Sequence, residues 1–156
     1  MGKRISIKCS KCEYSKTLDV GIGMLYSPIR VFEGYPPEDA MIYDLIRSKK
    51  IKDRVRELLN NGGVPGTDYG HSIYCCPKCN EIYNRFYFKI KYKEKIYEPP
   101  YLCSKCKRAL VKAKIENDKD KIILEDSEGN RIRWSCPKCS NCELEYDKDS
   151  IFLLWD

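Results

Sequence analysis

The chain carries CSKC at residues 9–12, CPKC at 76–79, CSKC at 103–106 and CPKC at 136–139, four separate Cys-x-x-Cys knuckles in 156 residues, and in the run CPKCSNC Cys142 could replace Cys136 by pairing with Cys139 at the same spacing. Ten cysteines scattered at random over this length would give roughly one such pair, so the spacing is specific. Its physical sense is geometric. Two intervening residues let the backbone turn tightly enough for both sulfurs to face one point, and two such knuckles complete a tetrahedron around a metal with metal–sulfur distances of about 2.3 Å. The pairs also alternate in kind, Ser-Lys then Pro-Lys, twice over, and Pro77 and Pro137 preset their knuckles for a turn. That repeat predicts sequential pairing. One site is expected from Cys9, Cys12, Cys76 and Cys79, and a second from Cys103, Cys106, Cys136 and Cys139.

These knuckles resemble those of the zinc-ribbon family, in which two knuckles crown β-hairpins. The second unit, with 29 residues between its pairs, matches the pattern better than the first, with 63. The whole chain is also similar to small uncharacterised bacterial proteins with two ribbons, a likeness that carries no activity. The resemblance implies metal binding and a mainly β, small metal-stabilised fold: two zinc ribbons with an α-helical insertion in the first. It covers the knuckles and their flanking strands, and the expected units are residues 1–100, the first ribbon with the insertion at about 36–61, and residues 101–156, the second ribbon. It does not carry a function, because ribbons serve many processes. Two Zn2+ ions are the expected cofactors. Iron held by four thiolates remains open as the alternative metal.

Working outward from the knuckles, Ile5 and Ile7 alternate with polar residues in a strand that enters the first pair, and residues 14–20 read as its return. Gly21 and Gly23 belong to a turn or bulge, since no strand–loop–helix unit surrounds them to make a phosphate loop. From Pro36 to Asn61 the period becomes helical. Met41, Leu45 and Ile46 share one face, Ser48 is placed to cap a second helix carrying Ile51, Val55, Leu58 and Leu59, and Gly62 and Gly63 end it. The opposite face of this second helix is basic.

Between Arg85 and Lys93 strict alternation predicts one strand with Phe86, Phe88, Ile90 and Tyr92 on one side. The other side, Arg85, Tyr87, Lys89, Lys91 and Lys93, combines cations with an aromatic ring and is the candidate nucleic-acid surface. A solvated edge guarded by lysines is the plainer reading of the same pattern. Pro99 and Pro100 mark the joint between units. Beyond it, residues 110–116, 121–125 and 131–134 read as strands, with a hairpin turn at DSEGN and a closing strand in IFLLWD.

Composition narrows the function classes. Hydrophobic residues make up 42% of the chain, enough for a folded globule, and modules this small commonly lean on a metal. The first twenty residues contain no apolar signal-like run and no window could span a membrane, so the expectation is a soluble, cytoplasmic protein with no membrane partner. Reducing compartments favour metal ligation over disulfides for paired cysteines. The formal charge is +6, but each zinc bound by four thiolates lowers it by two, leaving about +2. The basic excess lies in residues 1–100, with eighteen Lys and Arg against twelve Asp and Glu, whereas residues 101–156 hold eleven of each.

No catalytic constellation is spelled out, since closed four-cysteine sites leave no position for substrate or water. The expectation is a non-enzymatic binding module for nucleic acid or protein, with no small-molecule substrate evident. The rival is a thiol-based redox or other enzyme using Cys75, Cys142 or His71, the only histidine, and it requires an exposed thiolate of lowered pKa.

Overall fold

The computed structural model describes residues 2–118, 121–125, 128–132, 135–140, 144–146 and 154–155. The architecture is mainly β, in three small sheets with few helices. Strand β1 (Gly2–Cys9) turns through the first knuckle into β2 (Ser15–Val20). A single π-helical turn (Ile29–Glu33) and a 3-10 turn (Pro37–Asp39) precede two helices, α1 (Ile42–Leu45) and α2 (Lys49–Asn60). Then come β3 (Val64–Pro65), β4 (Gly70–Cys75), β5 (Ile82–Tyr87), β6 (Ile90–Tyr92) and β7 (Lys95–Tyr97). The chain continues through β8 (Val111–Asp118), β9 (Lys121–Glu125), β10 (Arg131–Ile132), β11 (Leu144–Tyr146) and β12 (Leu154–Trp155).

The second helix is met where the sequence places it, whereas the first is broken at Ala40 into the 3-10 turn and the single turn of α1. Ser48 accepts a hydrogen bond from the Ile51 amide at 3.4 Å, and Ile51, Val55 and Leu58 are buried along one stripe of α2. At the other end the Gly63 amide reaches back to the Leu58 carbonyl at 2.8 Å, with Gly62 at φ +85° supplying the left-handed step.

The predicted strand from Arg85 to Lys93 is corrected. β5 ends at Tyr87, and β6 begins at Ile90 in a different sheet, paired with β3 and β7. Phe86, Tyr87 and Phe88 are all buried, so strict alternation lapses at the break.

The β4–β5 hairpin is a wall between two cores. Successive strand residues point to opposite faces, and so Ile73, Cys75 and Ile82 join Ile5, Ile7, Leu18 and Leu144 on one side. Tyr74, Cys76 and Tyr83 face the other, in the cluster that also holds Val55, Leu58, Phe32 and Phe88 from the helical segment and its surroundings. Strand β8 pairs with β4 through residues 111–113 and with β9 through residues 114–118, joining two of the sheets. β1 pairs on one side with β2 and on the other with β11 and β12, as at Ile7 opposite Tyr146 and Gly2 opposite Trp155. Of the expected closing strand in IFLLWD, Leu154–Trp155 pairs with the first strand of the chain, and the rest lies outside the described residues.

Candidate metal centres

The first two knuckles sit where a strand runs out, and the third is closed by the isolated bridge between Leu102 and Ala109. The Cys9 amide bonds to the Tyr14 carbonyl at 2.8 Å, Cys76 to Glu81 at 3.0 Å, and Cys103 to Arg108 at 2.8 Å. In three knuckles the amide four residues after the first cysteine returns to that cysteine's carbonyl: Asn80 to Cys76, Lys107 to Cys103 and Ser140 to Cys136. Those three residues have φ of 56°, 60° and 59°, a left-handed step that non-glycine residues adopt only when the surrounding contacts hold it.

The knuckles combine in a nested order, which corrects the sequential pairing. Cys9, Cys12, Cys136 and Cys139 form an outer cluster, and Cys76, Cys79, Cys103 and Cys106 an inner one. The ligand atoms within each lie within 4.8 Å of one another. Each cluster takes one knuckle from either side of residue 100. The cause is strand pairing. β1, which leads into the first knuckle, is bonded to β11, which follows the fourth, and β4, which leads into the second, is bonded to β8, which follows the third.

The geometry fits a metal ion. A tetrahedron with metal–sulfur bonds of about 2.3 Å has sulfur–sulfur edges of about 3.8 Å. The observed separations are 3.7 Å for Cys9–Cys139, 3.5 Å for Cys12–Cys136, 3.3 Å for Cys76–Cys106 and 3.5 Å for Cys79–Cys103. The first cysteine of every knuckle is buried and the second is partly exposed, so each cluster is anchored in a core and reaches the surface.

Local donors prepare the sulfurs for negative charge. Burial pushes the Cys103 thiol up, but hydrogen bonds from the Tyr83 hydroxyl (3.2 Å) and from the Cys106 and Lys105 amides outweigh it and bring it down to about 6. Cys76 and Cys136 are lowered in the same way, each against the pull of burial, by the two amides that close its own knuckle. Cys79, by contrast, is pushed up to about 12 by burial and by its sulfur neighbours. Four thiolates this close repel one another, and a bound cation would offset that repulsion.

A lysine–glutamate pair crosses each cluster. Lys138 of the fourth knuckle reaches Glu13, beside the first, at 3.0 Å, and Lys105 of the third reaches Glu81, beside the second, at 2.5 Å. Glu81 is the only buried charged residue among those described, and it also accepts from Lys16 (3.2 Å) and from the Tyr14 hydroxyl (3.3 Å). It therefore connects the inner cluster to the β2 side of the outer one. Sequence reasoning missed Glu81, Tyr83 and Tyr14, because their roles exist only once the knuckles have been paired. The recurring lysine at the third position of all four knuckles was the one available signal.

The five candidate nucleic-acid residues are not brought to one face. Arg85 enters a cleft beside α2, while Tyr87 and Lys89 line another with Lys112, whose ammonium lies 3.0 Å from the centre of the buried Tyr87 ring. Lys91 and Lys93 lie on the small third sheet and at its β6–β7 turn.

Of the residues set aside for thiol or acid–base chemistry, Cys75 is buried, and burial pushes its thiol up to about 12. His71 packs edge-on against Tyr26 and Phe86, and its ring is held below the ordinary histidine pKa by burial, which outweighs the opposing effect of Asp19. Cys142 lies outside the described residues.

The fold and the clusters define the class: a mainly β protein with two four-cysteine groups that can hold metal, consistent with zinc-ribbon-like sites. Compared with known protein families, curated proteins and solved structures, the chain matches none of them. No helix among the described residues is long and apolar enough to cross a membrane.

Proposed function

We propose that this chain is a zinc protein whose two closed four-cysteine sites are structural, and whose scaffold acts as a non-enzymatic binding module for nucleic acid or protein. The observation that carries this reading is the pair of sulfur clusters, each built from four cysteines at tetrahedral spacing and each rooted in its own small core. All four ligand positions are protein sulfurs, which suits a folding role better than catalysis. The clusters read as zinc-ribbon sites, and the segment carrying α1 and α2, packed on the core of the inner cluster, reads as an insertion into that lobe. Zinc at both sites contributes folding free energy that the unfolded chain lacks, about 10–16 kcal/mol apparent per site at neutral pH.

Native mass spectrometry with elemental analysis, on protein purified under reducing conditions, tests the reading. Two zinc ions per chain, with loss of the folded circular-dichroism signal on chelation, are expected. A protein that folds without metal, or that carries iron, refutes it. The redox alternative draws no support from Cys75, whose thiol is buried and protonated at neutral pH.

A further inference from the structure

The cleft between the N-terminal turn of α2 and the segment Tyr97–Leu102 is lined by more cationic than anionic side chains. It encloses about 930 Å³, the size range of small-ligand sites. Its charged lining comprises Arg47, Lys50, Arg54 and Arg85 against Asp53 and Glu57. Both acids are already engaged, Glu57 with Arg54 at 2.6 Å and Asp53 with Arg56 at 3.1 Å. Among the described residues, Arg47, Lys50 and Arg85 are left with no carboxylate within ion-pair range.

Arg85 is the most telling of the three. Its guanidinium is half-buried on β5, stacked 4.7 Å from the Tyr83 ring, and it donates a hydrogen bond to the Asn84 carbonyl at 3.0 Å. Burial disfavours its charge, and Arg47 across the cleft disfavours it further. Arg47 is exposed and Arg85 half-buried, so both cations line a recess that an anion can enter from solvent. The first amides of α2 add a partial positive charge on the same side. Facing these cations are flat apolar surfaces, Tyr97, Pro100 and Leu102, the last 54% exposed.

We infer that this cleft binds a single-stranded nucleic acid, with Arg47, Lys50 and Arg85 taking backbone phosphate and Tyr97 with Leu102 receiving a base. This rests on the binding-module reading and gives it a partner and a place. Arginine forks match phosphate oxygens, and a ring within a nucleotide's reach of them supplies the stacking platform that sequence-tolerant binders use. A recess suits an unpaired strand better than the convex ridge of a duplex. The assignment also sorts the sequence-level candidates: Arg85 belongs to the site, and Lys91 and Lys93 on the third sheet do not.

The test is fluorescence anisotropy of the zinc-loaded full chain with short labelled RNA and DNA of mixed sequence, from low to moderate salt. Arg47 and Lys50 are exposed, so Arg47→Glu and Lys50→Glu leave the core intact, and zinc content reports folding. Each is expected to weaken binding about ten-fold and to lower the log–log salt slope by roughly 0.7 for every phosphate left without its cation. Lys91→Glu combined with Lys93→Glu is expected to change affinity less than about two-fold, the size of a weak, screened surface effect. If the wild type binds and only the Lys91 and Lys93 variant loses binding, the cleft assignment is overturned while the module reading survives. If the wild type binds neither strand at the lowest salt, or binds an acidic polypeptide in preference, the nucleic-acid assignment is wrong and a protein partner takes its place.

Discussion

Replacing Glu81 by alanine separates a buried clamp from an exposed one of the same design. The Glu81 side chain is 10% exposed and accepts from Lys16, Lys105 and Tyr14. Without it the Lys16 ammonium, 31% exposed, keeps the Ile82 carbonyl and the face of Tyr83, while the Tyr14 hydroxyl loses this acceptor. Removing one partner of a fully buried pair costs about 3–5 kcal/mol. Because Lys16 still reaches water and Lys105 is solvent-exposed, the expected cost here is smaller, about 2–3 kcal/mol. For a chain of this length that is a fall in Tm of roughly 5–10 °C. Glu13, 91% exposed in its pair with Lys138, is the control, and Glu13→Ala is expected to melt with the wild type. Thermal denaturation of the zinc-loaded proteins by circular dichroism measures both. Equal shifts for the two variants, or none for Glu81→Ala, would refute the reasoning. The pH dependence has a definite sign. Burial raises the Glu81 pKa, but its two lysines hold it below the ordinary carboxylate value. Its contribution is therefore present above the unfolded pKa and lost as pH falls through the folded one. The gap between wild type and Glu81→Gln should stay constant down to about pH 5 and close below it.

The nested pairing is tested by substituting cadmium-113 for zinc: one metal resonance should couple to the β-protons of Cys9, Cys12, Cys136 and Cys139, the other to those of Cys76, Cys79, Cys103 and Cys106. Coupling of one metal to Cys9 and Cys76 together would restore the sequential order. His71, as the sole histidine, gives a single ring resonance, and its NMR titration midpoint should lie below the ordinary value of about 6.5; a midpoint above that value contradicts the burial argument. Neutral His71 therefore favours the fold above the unfolded pKa, and that contribution declines as pH falls toward the folded one. Cys75 should resist alkylation in the reduced, zinc-loaded native protein and react after chelation and denaturation, as peptide mapping by mass spectrometry will report; rapid native labelling would place it at a functional surface.

Much of the local structure was legible because it is set by nearest neighbours along the chain. The spacing of each Cys-x-x-Cys pair marks a knuckle, alternation around Ile5 and Ile7 marks the entering strand, and Ser48 with the stripe Ile51, Val55 and Leu58 marks α2 with its cap. The period-2 pattern from Arg85 to Lys93 misled, because Phe86, Tyr87 and Phe88 are buried together where the chain passes from one sheet to another, and burial on both sides erases the contrast that alternation relies on. Cys75 is idle for a reason only the fold supplies. It neighbours a ligand in sequence but, one residue along a strand, faces the opposite core.

What the residues determined by themselves was therefore the inventory: four knuckles able to hold metal in pairs, a mainly β chain, and a capped amphipathic helix. Which knuckle meets which was decided in three dimensions. All four share the same Cys-x-x-Cys spacing, so spacing alone assigns no partner. The choice falls to the pairing of β1 with β11 and of β4 with β8, long-range contacts whose register depends on how two separate cores are filled on either side of one hairpin.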